Sequence, residues 1–307
     1  MHPPSVNEAG QVGQDDIEPW IKTRLRGFLD ARAESLAAVS PQFVPFVRAV
    51  REILDTGSGQ PFPPFCYWGW RAAGGDAGDQ RIITASSAME LLGIRAATER
   101  SLVGDLCLTW CAELFYGCGL PAGRLEAAAG PFHLMQAEVL ARSYLGGLEH
   151  GDAEQAGIAG RYRTSASHAM RAGAALAGAG PELADECGAF ASPLGEAVQL
   201  RAEVIAVFAD GALRRGRAPV LIALARERGN PGQRAELQAL YGDPSLTGQG
   251  AERLRGIVTD TRALAVAEEM IVRQVNEALH VLHRLPAGRD VKEALTAFAV
   301  ATADGPD

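Results

Sequence analysis

The chain has 307 residues, 47% of them hydrophobic, 21% charged and 6% aromatic, with a formal net charge of -8. That balance leaves ample apolar material for a buried core, and it argues against nucleic-acid binding because no basic stripe is present to neutralise phosphates. The five cysteines, an odd count with no secretory signal ahead of them, point to reduced thiols and a cytoplasmic location, and no apolar run reaches the roughly 18 residues that would span a membrane.

Residues 1–14 are polar and contain Gly and Pro, so they read as a flexible N-terminal segment, with a single helical domain expected over 15–307. A helix is expected to start after Asp15 and Asp16, whose carboxylates complement unpaired amides at a helix N-terminus. Ile17, Trp20, Ile21, Leu25, Phe28 and Leu29 then recur at spacings of three and four, the mark of one helical face. With no second carboxylate cluster nearby, the N-cap reading of Asp15 and Asp16 is favoured over a metal site.

Helical periodicity continues through Phe43–Leu54, Arg81–Leu92, Val103–Tyr116, Phe132–Leu148, His168–Leu176, Glu182–Asp210, Val220–Glu227, Arg234–Tyr241 and Gly250–Leu285, with Gly/Pro punctuation between them. No stretch alternates at period two for long enough to be a central strand. The expected fold class is therefore all-α, a bundle of about ten helices. Its two long segments, Glu182–Asp210 and Ala251–Leu285, exceed the usual ~11–12 residues, which suggests a central cavity able to hold an elongated ligand. The Ala/Gly run from Ala169 to Gly180 permits close helix approach.

Three stretches carry a resemblance: "CYWGWRAAGG" (66–75), "SLVGDLCLTWCAELF" (101–115) and "PLGEAVQLRAEVIAVFADG" (193–211). Together they resemble the trans-isoprenyl diphosphate synthases (polyprenyl synthetases), which use metal ions held by two aspartate-rich motifs to ionise an allylic diphosphate. The resemblance implies the isoprenoid-synthase helical bundle, but the chemical positions are altered. Where the family has a basic Gly-Gly-Lys-Arg-x-Arg-Pro segment, Gly57, Gly59 and Pro64 remain while Gln60, Pro61 and Pro63 occupy the basic positions. Where it has DDxxD and an Arg-Arg-Gly loop, "SSAMELLG" (86–93) runs through the short "IRAATER" (94–100) to Gly104 and Asp105, and Arg95, Glu99 and Arg100 match no catalytic position.

Further on, Arg163 and Thr164 correspond to the family's Lys-Thr pair. In its Gln-Leu-x-Asp-Asp motif, Gln199 and Leu200 match, Ala202 and Glu203 stand at the aspartates, and Asp210 matches a later aspartate. Arg214, Arg215 and Arg217 fall near its lysine-containing loop. The resemblance thus makes Arg163, Thr164, Gln199, Glu203, Asp210, Arg214, Arg215 and Arg217 the candidate vestigial cavity or phosphate contacts, with no metal ligands. No cofactor is expected, and Mg2+ only if the family activity is retained. Loss of even ~4 kcal/mol of transition-state stabilisation lowers a rate about a thousandfold, so ordinary chain elongation is expected to be weak or absent.

The function implied is that of a pseudoenzyme, a non-catalytic subunit in isoprenoid biosynthesis that pairs with and modulates an active prenyl diphosphate synthase. It would act as a homodimer or heterodimer, with a prenyl diphosphate as a candidate ligand. Helix Ser101–Phe115, rich in Leu102, Val103, Leu106, Leu108, Trp110 and Leu114, is the implied dimer interface. The alternative is a repurposed prenyltransferase, or a terpenoid enzyme or binder of prenyl diphosphates, that keeps the apolar cavity. Cys107, Cys111 and Cys118 share a helical stripe without histidine or CxxC companions and read as core thiols. His280 and His283 read as helix C-terminal residues, and Tyr67, Trp68 and Trp70 as packing beneath the cavity. No GxSxG elbow, Walker loop or GxGxxG fingerprint occurs in a suitable context.

Overall fold

A computed structural model describes residues 14–57, 62–98, 102–145, 156–214, 216 and 218–305; the expected N-terminal segment falls almost wholly outside them. Helix α1 (Gln14–Val39) buries Ile17, Ile21, Leu25, Phe28 and Leu29, the stripe expected from their spacing, and it places Asp15 and Asp16 in its first turn. A 3-10 turn at Pro41–Phe43, capped by Ser40, leads into α2 (Val44–Thr56), which ends where Gly57 takes a φ of 84°. Periodicity did not single out α3 (Phe62–Ala72), for a physical reason. Phe62, Phe65, Cys66, Tyr67, Trp68 and Trp70 are all buried, so the helix is apolar on every side and has no stripe. Its Pro63 and Pro64 sit in the first turn, where the missing N–H groups cost nothing.

Asp79 caps α4 (Gln80–Ala97) by accepting the Arg81 N–H at 2.9 Å. Then come α5 (Leu102–Tyr116), α6 (Ala122–Leu145) and α7 (Ala156–Ala177), with Phe115 stacked on Phe132 at 3.9 Å. The long α8 (Pro181–Val207) is followed by α9 (Asp210–Arg214), α10 (Pro219–Arg228) and α11 (Pro231–Leu240), the last opened by a capping box between Asn230 and Gln233. The segment expected as one helix over 250–285 is two, α12 (Gly248–Asp260) and α13 (Ala263–Arg284). Arg262, with a φ of 58°, breaks it, and Arg228 holds the corner by donating to the Thr261 carbonyl at 2.8 Å. The last helix is α14 (Arg289–Asp304).

Fourteen α-helices and no strand occur among the described residues, so the fold is all-α as expected. The excess over ten comes from α3, α9, α14 and the break at Arg262. At the centre α7 lies between α3, α6 and α8, and α8 packs in turn on α13. Glycines set the α3–α7 distance. A Cβ at Gly173 would stand 1.8 Å from the Cys66 carbonyl oxygen, and one at Gly69 would stand 2.0 Å from that of Met170. The two backbones therefore touch, and the Ala/Gly run of α7 serves that approach; along this contact no room remains for a ligand. No helix among the described residues is long and apolar enough to cross a membrane.

Candidate functional site

The inner face of α8 carries Glu196, Gln199 and Glu203 at helical positions i, i+3 and i+7, all three buried. Glu203 is 0% exposed. Its role follows from a deficit elsewhere. Helix α10 starts after Ala218, which has no side-chain acceptor to cap it, and Pro219 has no N–H to offer. The next two amides need acceptors, and Glu203 Oε2 accepts both, from Val220 at 2.9 Å and Leu221 at 3.2 Å. The Ala218 N–H donates to Tyr241 Oη at 2.9 Å, and the Ile222 N–H to the Ala218 carbonyl at 3.0 Å. The first turn of α10 is thus capped from α8 and from the residue after α11.

Burial pushes the Glu203 carboxyl up to about 8, against the opposing pull of the Leu221 and Val220 amides and the Gln199 side chain. Its second oxygen, Oε1, is buried with no hydrogen-bond partner, as is Gln199 Oε1.

Magnesium requires several hard oxygen ligands in near-octahedral array. Ala202 offers none, and Glu203 holds two amides with the one oxygen that has any partner. Among the described residues no group of three or more His, Cys, Asp or Glu is placed to hold a metal ion. The described donors at the second motif therefore do not fit magnesium. Asp210 heads α9, but its side chain lies outside the described residues, as do Arg215 and Arg217 entirely; Arg214 is exposed at the end of α9.

At the first motif's position, α4 ends at Ala97 and α5 begins at Leu102, with Glu99 and Arg100 outside the described residues. Arg95 is buried here, 4% exposed, with its stem across Gly104 and Nη1 donating to the Thr98 carbonyl at 3.3 Å. A Cβ on Gly104 would come within 2.7 Å of Arg95 Cδ. A guanidinium is thus packed into the α4–α5 corner. Of the family's basic segment, Gly59, Gln60 and Pro61 lie outside the described residues.

Thr164 belongs to a separate polar group. Its α7 neighbour Ser165 donates to Glu138 of α6 at 2.6 Å, and His168 Nε2 lies 3.3 Å from the other carboxylate oxygen. Burial raises the Glu138 carboxyl, but the combined donors His168, Ser165 and Thr164 outweigh it and hold the group below the usual carboxylate range. Thr164 itself is exposed, and the Arg163 side chain lies outside the described residues. A carboxylate held ionised beside the expected phosphate contact repels an anion.

Sequence reasoning missed Glu138, Ser165, His168, Glu196, Tyr241 and the packing role of Arg95. The one available signal was the i, i+4 placement of Thr164 and His168 on α7; Glu138 comes from another helix. All five cysteines are buried thiols, and burial pushes Cys66, Cys107, Cys111 and Cys187 up to about 12, which suits packing rather than reactivity. Tyr67, Trp68 and Trp70 are core residues of α3, and His280 and His283 are exposed near the end of α13.

The helix order and the central position of α7 and α8 are those of the helical fold of isoprenyl diphosphate synthases. A geranylgeranyl pyrophosphate synthase from Corynebacterium glutamicum, solved with isoprenyl diphosphate and magnesium, superposes with a TM-score of 0.82 over 96% of this chain and 100% of its own, at 19% identity. The geranylgeranyl pyrophosphate synthetase of Pyrococcus horikoshii matches with a TM-score of 0.70 over 95% and 99% of the two chains, at 15% identity. A polyprenyl synthetase from Streptomyces coelicolor matches with a TM-score of 0.59 over 78% and 84%, at 18% identity. No family profile matches the sequence.

Proposed function

We propose that this protein is a non-catalytic, cytoplasmic member of a prenyl diphosphate synthase assembly, a subunit that pairs with an active synthase and modulates its stability or product length. The observation that carries the reading is Glu203. The single carboxylate at the second motif's aspartate positions is buried and holds the start of α10, so it is withdrawn from the cation chemistry that diphosphate departure needs.

The outer face of α5 supports pairing. Leu102 is 49% exposed, and Val103, Leu106 and Leu108 are half-buried; Leu134 and Leu140 of α6 are also exposed. Trp110 and Leu114, expected at the same surface, pack instead into this chain's own core. The pairing face is therefore narrower than its sequence suggests.

The test is incubation with dimethylallyl, geranyl or farnesyl diphosphate plus isopentenyl diphosphate and magnesium, alone and beside an active synthase. The expected result is no elongation alone and an altered product length or stability in the mixture, with a mixed oligomer on size-exclusion chromatography. Turnover by the purified protein alone overturns the proposal and favours a repurposed prenyltransferase.

A further inference from the structure

The surroundings of Glu203 raise a question that its role as a cap does not answer, namely where the charge goes. The carboxyl is fully buried and one of its oxygens has no donor. No cation among the described residues offsets it, although several lie on neighbouring elements. Arg201, two positions back on α8, turns away to Glu268 of α13 at 2.7 Å and to the Thr302 carbonyl of α14. Arg255 of α12 donates to the Val207 carbonyl, Arg228 at the far end of α10 donates to Thr261, and Arg171 of α7 pairs with Asp185. Among the described residues, the groups that do face Glu203 are the Val220 and Leu221 amides and the uncharged Gln199 side chain. A buried carboxylate with one bare oxygen and no counter-cation among the described residues is costly, and the ordinary resolution is to keep the proton.

We propose that Glu203 is a proton-operated latch on α10: as the neutral acid, with its proton on Oε1, it closes the α8–α10 junction, and loss of that proton to water makes the junction easier to open. The direction follows from linkage. Once the junction opens, Glu203 meets water and titrates as an ordinary carboxyl, whereas the closed form holds its proton up to about 8. The latch is at full strength below the ordinary carboxyl range, weakens as pH rises to about 8, and levels off beyond, when both forms are ionised. Within that window each pH unit multiplies the opening equilibrium about tenfold. The element released is the first turn of α10 at Val220 and Leu221.

Two measurements on the full chain test this independently of any partner or activity. In protein labelled with carbon-13 at glutamate carboxyls, the Glu203 signal is expected to titrate near 8; titration in the usual carboxyl range overturns the latch. The amide-exchange protection factors of Val220 and Leu221 are expected to fall about tenfold per pH unit below that point and then to level, while Glu203→Gln shows no such fall. Flat protection in the native chain, or the same fall in the variant, overturns it as well. Should Glu203→Gln not fold, the carboxyl titration of the native chain decides alone.

Discussion

The α3–α7 contact and the α8–α10 junction meet the demands of close packing in opposite ways. In the first, two helices touch through glycine, and the entire design is the removal of atoms: Gly69 and Gly173 leave the carbonyls of Met170 and Cys66 room to stand where side chains would be. In the second, a helix begins at a residue that cannot cap it, and the deficit is met by adding polar atoms from elsewhere, Glu203 from α8 and Tyr241 from beyond α11. The first has no tolerance for growth and no dependence on pH. The second tolerates isosteric change but depends on charge and hydrogen-bond count.

The largest effect expected from breaking this comparison comes from one methyl group in the α3–α7 contact. Gly173→Ala places a Cβ 1.8 Å from a backbone oxygen, which no rotamer change relieves. The helix-propensity gain of up to ~1 kcal/mol is outweighed by the displacement of α3, and a net loss of more than ~3 kcal/mol is expected. The check is a chemical-denaturation midpoint beside that of Gly256→Ala in α12, where nothing lies within 4 Å of the added Cβ. The control should be neutral or slightly stabilised. Equal behaviour of the two variants would mean that the helices are not in backbone contact.

At the junction, Glu203→Ala removes the acceptor for two buried amides and leaves a void the size of a carboxymethyl group. Losing the acceptor costs about 1–3 kcal/mol and the void adds to it, while relief from burying an acid subtracts, so a net loss of ~2–3 kcal/mol is expected. Urea unfolding measures the total. Amide exchange at Val220 and Leu221 locates it, because a loss spread evenly over the molecule would show that the cap is not what Glu203 supplies.

These two regions also mark how much was legible beforehand. The Ala/Gly composition of α7 announced a close approach, and the spacing of Ile17, Ile21, Leu25 and Leu29 announced a buried stripe, because both are local patterns that one helix must satisfy by itself. Helix α3 was hidden by the opposite cause: a helix buried on all sides has no periodicity to detect. At the candidate site, the resemblance singled out Glu203, yet its use depends on Ala218 and Pro219, residues that lie some fifteen positions away and lack a cap. The same holds for Thr164, whose environment is set by Glu138 of another helix. Polar satisfaction is a property of the assembled chain, so a segment-by-segment reading sees the demand or the supply but not both.

The smallest effect expected is at Tyr241, and it sharpens the comparison most. Tyr241→Phe deletes only the oxygen that accepts the Ala218 N–H; the ring that packs beside Gly216 stays. Ala218 is 1% exposed, so its amide loses a partner inside the protein, but the half-exposed phenol leaves a path for water. The expected cost is therefore about 1 kcal/mol, the low end for an unsatisfied donor. Because Tyr241 and Glu203 serve neighbouring amides of one helix turn, their losses should not add. Once Glu203→Ala has frayed the start of α10, the Tyr241 bond has less structure to hold, and the double variant should fall short of the sum by ~0.5 kcal/mol or more. Strict additivity in denaturation experiments would mean that the two side chains cap independent units, and α10 would then lack the single cooperative start that its shared cap implies.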